Sequence, residues 1–100
     1  MSFLATQPDM MAAAASELQA IGSDLTARNA AAAAPTMSVV PAGADEVSAL
    51  TATQFAAHGE IYQLVSARAE AVHDMFVATL AAGAVAYADS EAANATSGRL

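Results

Sequence analysis

From about Asp45 to Ser90 a pattern of positions repeats every seven residues, and no proline interrupts it. Phe55, Tyr62, Ala69, Phe76 and Gly83 form one line of the repeat, and His58, Val65, Val72 and Thr79 form a second, offset by three. A strand would alternate these residues between two faces. A helix of 3.6 residues per turn gathers them on one side, so the pattern predicts a long helix with a buried seam. Glu46, Glu60 and Asp74 recur at fourteen-residue spacing on the side away from that seam. Leu50, Ile61, Leu64 and Met75 flank the seam and widen it to about 160° of arc, against the ~100° of an ordinary surface helix. One neighbouring helix cannot cover so wide a strip.

A second helix is predicted nearer the start of the chain. Pro8 suits a first helical turn, where its missing N–H costs nothing, and Asp9 places a carboxylate at the positive end of the helix dipole. Leu4, Met11, Leu18, Leu25 and Ala32 are spaced by seven, with Ile21 three after Leu18, which gives this helix its own seam. Asp24 and Arg28 can pair at i, i+4, a contact worth only a few tenths of a kcal/mol. Pro35 disfavours helical backbone at Ala34, so the helix is expected to span about 8–33. Residues 34–44, with two prolines and Gly43, form the connector, and Asp45 is placed to cap the next helix with Ser48 one turn on.

The second helix is expected over about 45–90 and a flexible tail over 91–100, where the apolar period is lost. At 1.5 Å per residue the two helices span roughly 38 Å and 65 Å. Folded as an antiparallel hairpin, the first would stop short of Val72, Met75, Phe76, Leu80 and Val85, leaving an apolar strip of the kind that marks an interaction surface. The expected fold class is all-α, an antiparallel two-helix hairpin whose strip needs further helices. Gly83 and the alanines would let those helices approach closely.

Composition sharpens this picture. Apolar residues make up 56% of the chain, yet thirty of them are alanines, which favour helix and bury little surface each. Cysteine is absent, so disulfides, thiol chemistry and cysteine metal sites are excluded, and a partner chain is the remaining common route to added stability. Ten acidic residues face three arginines and no lysine, for a net charge of -7, which argues against nucleic acid and anionic membrane surfaces. Met1 to Gln7 carries no positive n-region and no apolar run of signal-peptide length. The uncharged run between Asp74 and Asp89 is shorter than the ~20 residues needed to cross a bilayer, so no transmembrane segment is expected.

Candidate chemistry is sparse. No Gly-x-Ser-x-Gly elbow, phosphate-binding glycine loop or His-Glu-x-x-His motif occurs, so an enzyme is not expected, nor is any cofactor or metal. His58 falls on the seam and His73 on its edge, about 22 Å apart along one helix, too far to share a metal. Both read as structural. Asp45/Glu46 and Asp89/Glu91 lie at helix ends, where caps or solvated charges are the ordinary role. Asn94-Ala95-Thr96 matches a glycosylation acceptor, a short and weak signal. Tyr87 and Glu91 share a face off the seam, an exposed aromatic and acidic pair near the end of the long helix.

Taken together, these residues resemble the PE family of mycobacteria. The chain opens Met1-Ser2-Phe3 and carries Pro8-Asp9 where the family has Pro-Glu. Val40-Pro41 is followed by Asp45, Val47 and Ser48, and Tyr87 with Glu91 matches the family's Tyr-x-x-x-Asp/Glu secretion signal. The resemblance covers almost the whole chain and looks like a stand-alone PE domain. It implies a hairpin that completes a four-helix bundle with a PPE protein as a 1:1 heterodimer. It implies export of the pair by a type VII secretion system, with a cytosolic chaperone on the PPE partner, to the cell surface or beyond. The residues expected to meet the partner are Leu18, Ile21, Leu25, Phe55, His58, Ile61, Tyr62, Val65, Val72, Met75, Phe76 and Leu80. The alternative is a structural protein in which two copies of the hairpin form a symmetric bundle without an export role.

Overall fold

The structure, a computed structural model, describes residues 5–98, so the opening Met1-Ser2-Phe3 and Leu4 of the first seam lie outside the described residues. Two helices account for nearly all of it: α1 over Pro8–Met37 and α2 over Glu46–Gly98. Two compact units draw on both helices, one from residues 1–21 and 73–100, the other from residues 22–72. Each pairs a stretch of α1 with a stretch of α2.

α1 runs four residues past its expected end, with Pro35 inside it. Proline this close to a C-terminus removes one intrahelical hydrogen bond instead of breaking a long ladder. The Thr36 hydroxyl donates to the Ala32 and Ala33 carbonyls at 2.8 and 3.1 Å, and the Ser38 amide donates to Ala34 at 2.9 Å. Those bonds hold the last turn. α2 begins as expected: the Asp45 carboxylate accepts from the Ser48 amide at 2.9 Å and from the Ser48 hydroxyl at 2.7 Å. Bonding by the Ser48 side chain, then by its amide, holds the Asp45 carboxyl below its ordinary value.

The far end of α2 departs from expectation. Residues 91–98 are helical, not a tail, because the stretch is rich in alanine and lacks a helix breaker before Gly98. Thr96 of the acceptor-like triplet donates its hydroxyl back to the Ala92 carbonyl at 3.0 Å.

In the unit of residues 22–72 the helices run antiparallel. Glu70 accepts from the Thr26 hydroxyl at 3.1 Å and from the Asn29 amide at 2.7 Å, while Gln63 donates to Thr36 at 3.3 Å. Gly59 is buried under the last turn of α1: a Cβ there would lie 2.5 Å from the Thr36 carbonyl oxygen. Glycine is required at that crossing because only backbone fits.

The unit of residues 1–21 and 73–100 is also antiparallel. His73 places Nε2 2.7 Å from the Leu18 carbonyl oxygen, so that nitrogen carries the hydrogen and donates. Ala15 and Ala84 are buried, and Leu18, Val77 and Leu80 are half-buried. A Cβ at Gly83 would meet the Met11 Cε at 3.8 Å, ordinary van der Waals contact. Gly83 is therefore not needed for the approach of α1.

These two glycines make a paired prediction. Gly59→Ala forces the helices apart at a backbone contact, an overpacking cost of ~1–3 kcal/mol that outweighs the ~1 kcal/mol gained in helix propensity. Gly83→Ala gains that propensity, about 0.5–1 kcal/mol, without a clash. Thermal melts should show opposite shifts, down for the first and up for the second. Equal shifts of one sign would mean that the Thr36 contact does not set the packing distance.

Candidate interaction surface

The seam that joins the helices is not the one expected. The covered positions of α2 follow a seven-residue repeat of mostly small and polar residues: Ala52, Gly59, Ser66, His73 and Leu80, with Ala56, Gln63, Glu70, Val77 and Ala84 four residues on from successive members. Phe55, Tyr62, Val65, Val72 and Phe76, assigned to a partner interface, each expose more than half their surface, and α1 covers none of them. Small residues let two backbones approach closely, and the half-buried polar ones find partners across the pair in Thr26, Asn29, Thr36 and Leu18. That leaves the large apolar side chains pointing away from α1.

The strip is therefore free by orientation. In the unit of residues 1–21 and 73–100, α1 lies beside α2 where Met75, Phe76 and Val85 sit, yet those residues are exposed. The expectation that α1 stops short of them is corrected. Leu18 and Leu80, assigned to a partner interface, are instead half-buried. Ile21 is exposed, as expected of a contact residue.

In the unit of residues 22–72 the exposed set is larger. Leu50, Phe55, Ile61, Tyr62, Leu64, Val65 and Val72 each expose 55% or more of their surface, and Leu25 is exposed as well. Taking ~200 Å² for a large apolar side chain, these seven present on the order of 800 Å², about what one partner contributes to a standard interface. His58 lies among them, exposed and not buried, beside Phe55 and Tyr62. An open groove of 540 Å³ runs there between Phe55, Gly59 and Tyr62 of α2 and Ala32, Pro35 and Thr36 of α1, with Val39 at its end. Periodicity found the strip but could not tell which face meets α1.

Tyr87 and Glu91 are exposed on α2, as the spacing predicts. Tyr87 follows Phe76 by eleven residues, about 20° around the helix, so it extends that apolar line and does not lie off the seam as expected, because a straight helix drifts from a seven-residue repeat. Pro8 and Asp9 form the first turn of α1, with Pro8 near Val85 and Ala88. Asp24 and Arg28 pair at 2.9 Å, both well exposed, as a solvated decoration does. Among the described residues no group of three or more His, Asp or Glu is placed to hold a metal.

By length and composition alone α2 can also cross a membrane: an 18-residue window within it reaches a mean hydropathy of 1.4. The expectation of no such segment rested on an uninterrupted uncharged run, a stricter condition than a span that tolerates a charge or two. Only 6% of that window is buried, so the same residues that satisfy a bilayer would satisfy a protein partner.

Comparison with known proteins gives this surface its setting. The PE family protein PE13 of Mycobacterium tuberculosis H37Rv is 64% identical over 95 residues, 95% of this chain and 96% of that protein. PE8 of the same organism is 53% identical over 96 residues, of which it has many more, since the match covers 35% of it. A PE-PGRS family protein, PE_PGRS34, is 55% identical over 95 residues that make up 18% of its length. With the PE family model matched over residues 4–94, the chain belongs to the PE family.

Proposed function

We propose that the chain is a non-enzymatic subunit of a secreted PE/PPE heterodimer, exported by a type VII secretion system to the mycobacterial cell surface or beyond, in a role at that surface or in host interaction. The observation that carries this reading is the exposed apolar strip of α2, with its area on the order of one side of a standard interface. A two-helix PPE segment laid on it would complete a four-helix bundle and bury what water now meets. The strip carries no lysine or tryptophan and a single arginine, Arg68, and the net charge of -7 opposes anionic lipid, which supports a protein partner. Tyr87 and Glu91 are the export signal in this reading, and the cytosolic chaperone contacts the PPE subunit.

The test is the solution mass and helicity of the purified chain, alone and after co-expression with a PPE candidate. A poorly folded or aggregating chain that becomes a helical 1:1 complex is the expected result. A stable helical homodimer indifferent to the PPE protein would replace it with the symmetric bundle of two hairpins.

A further inference from the structure

The apolar strip is not uniform. At one point, in the unit of residues 22–72, it opens into the groove at Gly59. Phe55 and Tyr62 stand two turns apart on α2 with Gly59 between them, and the last turn of α1 closes the far side through Pro35 and Thr36. At Gly59 the Thr36 carbonyl occupies the space a Cβ would take, so the two helices meet there backbone to backbone, with Phe55 and Tyr62 on either side. None of the residues lining the groove is a carboxylate or an arginine, in a chain with ten acidic residues. An uncharged concavity floored by backbone and walled by aromatic rings is the geometry of an interface hot spot, where one large side chain is desolvated on all sides.

We infer that this groove receives a single bulky apolar side chain, of leucine to phenylalanine size, from the partner helix, and that this contact sets the register of the partner on α2. The inference rests on the heterodimer reading of the strip. It assigns the occupant by three features. The groove is continuous with exposed side chains totalling about one partner's share of an interface. Its lining holds no carboxylate, lysine or arginine to pair with a charged group, and His58 is its one titratable side chain apart from the Tyr62 phenol. Its 540 Å³ leaves room for a large side chain and exceeds the neighbouring 470 Å³ depression lined by Thr51, Gln54, Phe55 and His58. An apolar knob seated between Phe55 and Tyr62 would fix the partner lengthwise, which a smooth apolar strip cannot do.

The experiment fills the groove from each wall in the co-expressed complex. Thr36→Trp fills it from α1 and His58→Trp from α2, both at exposed positions, with Glu60→Trp on the polar face of α2 as the control. Circular dichroism of each variant checks that the helices persist. Both groove variants are expected to weaken the complex at least tenfold, and the control to leave it unchanged. If the fillers leave the dissociation constant unchanged while Phe76→Asp still separates the complex, the groove is unoccupied and this inference is overturned, with the heterodimer reading intact. If the wild-type chain binds no PPE partner, the heterodimer reading itself fails and takes the inference with it.

Discussion

Phe76→Asp should leave the lone chain as helical as before and remove its capacity to form the complex. Phe76 exposes 56% of its surface and faces away from α1, so a carboxylate there meets water in the isolated chain at little cost. Under a partner the same carboxylate is desolvated without a counter-ion. The lost phenylalanine burial accounts for ~1.5–3 kcal/mol, and the stranded carboxylate for several more. A combined loss of about 4 kcal/mol is roughly a thousandfold in dissociation constant. Dissociation of the co-expressed pair on dilution reads it, beside the helicity of each chain alone. An unchanged affinity would move the partner interface off this side of α2, whereas a collapsed lone chain would show that Phe76 packs within the hairpin.

Tyr87→Ala should abolish export and leave the heterodimer assembled. Tyr87 is about half exposed and lies close to the end of α2, so removing its ring opens no cavity in the pair. An all-or-none effect on secretion with an unchanged complex separates recognition from assembly, because a machine that reads one aromatic and one carboxylate one turn apart loses half its contact. The measurement is the partition of both subunits between cells and culture filtrate, beside co-purification from the cell lysate. Since Tyr87 continues the line of Phe76, loss of the complex itself is the opposing outcome, and it would assign Tyr87 to the interface.

Much of the fold is legible in the sequence because helix signals are local. Pro8-Asp9 opens α1, and Asp45 caps α2 through Ser48. The long seven-residue repeat in α2 and the Asp24–Arg28 pair also stand as read. The errors have physical causes. The rule on residues before proline ended α1 at Ala33, but the Thr36 hydroxyl and the Gly59 contact sustain another turn. Loss of apolar period suggested a tail after Ser90, yet alanine holds a helix without packing. The largest error concerns the face. Hydrophobicity ranks Phe and Val above Ala and Gly, so the repeat of large residues stands out as the seam and hides the one that meets α1. What joins the helices is the weaker repeat of Ala52, Gly59, Ser66 and His73 with Glu70 and Val77, whose value rests on close approach and on partners some forty to fifty-five residues away. No local pattern announces those partners.

Among the described residues the only buried apolar side chains are three alanines, Ala15, Ala52 and Ala84. A lone chain built this way has little to lose by opening, and while open or closed it displays the same Phe, Tyr and Val residues that chaperones and proteases recognise. On the heterodimer reading, an orphan copy would be marked for removal by its own surface, and the amount of this protein in a cell would follow the supply of the subunit that covers it.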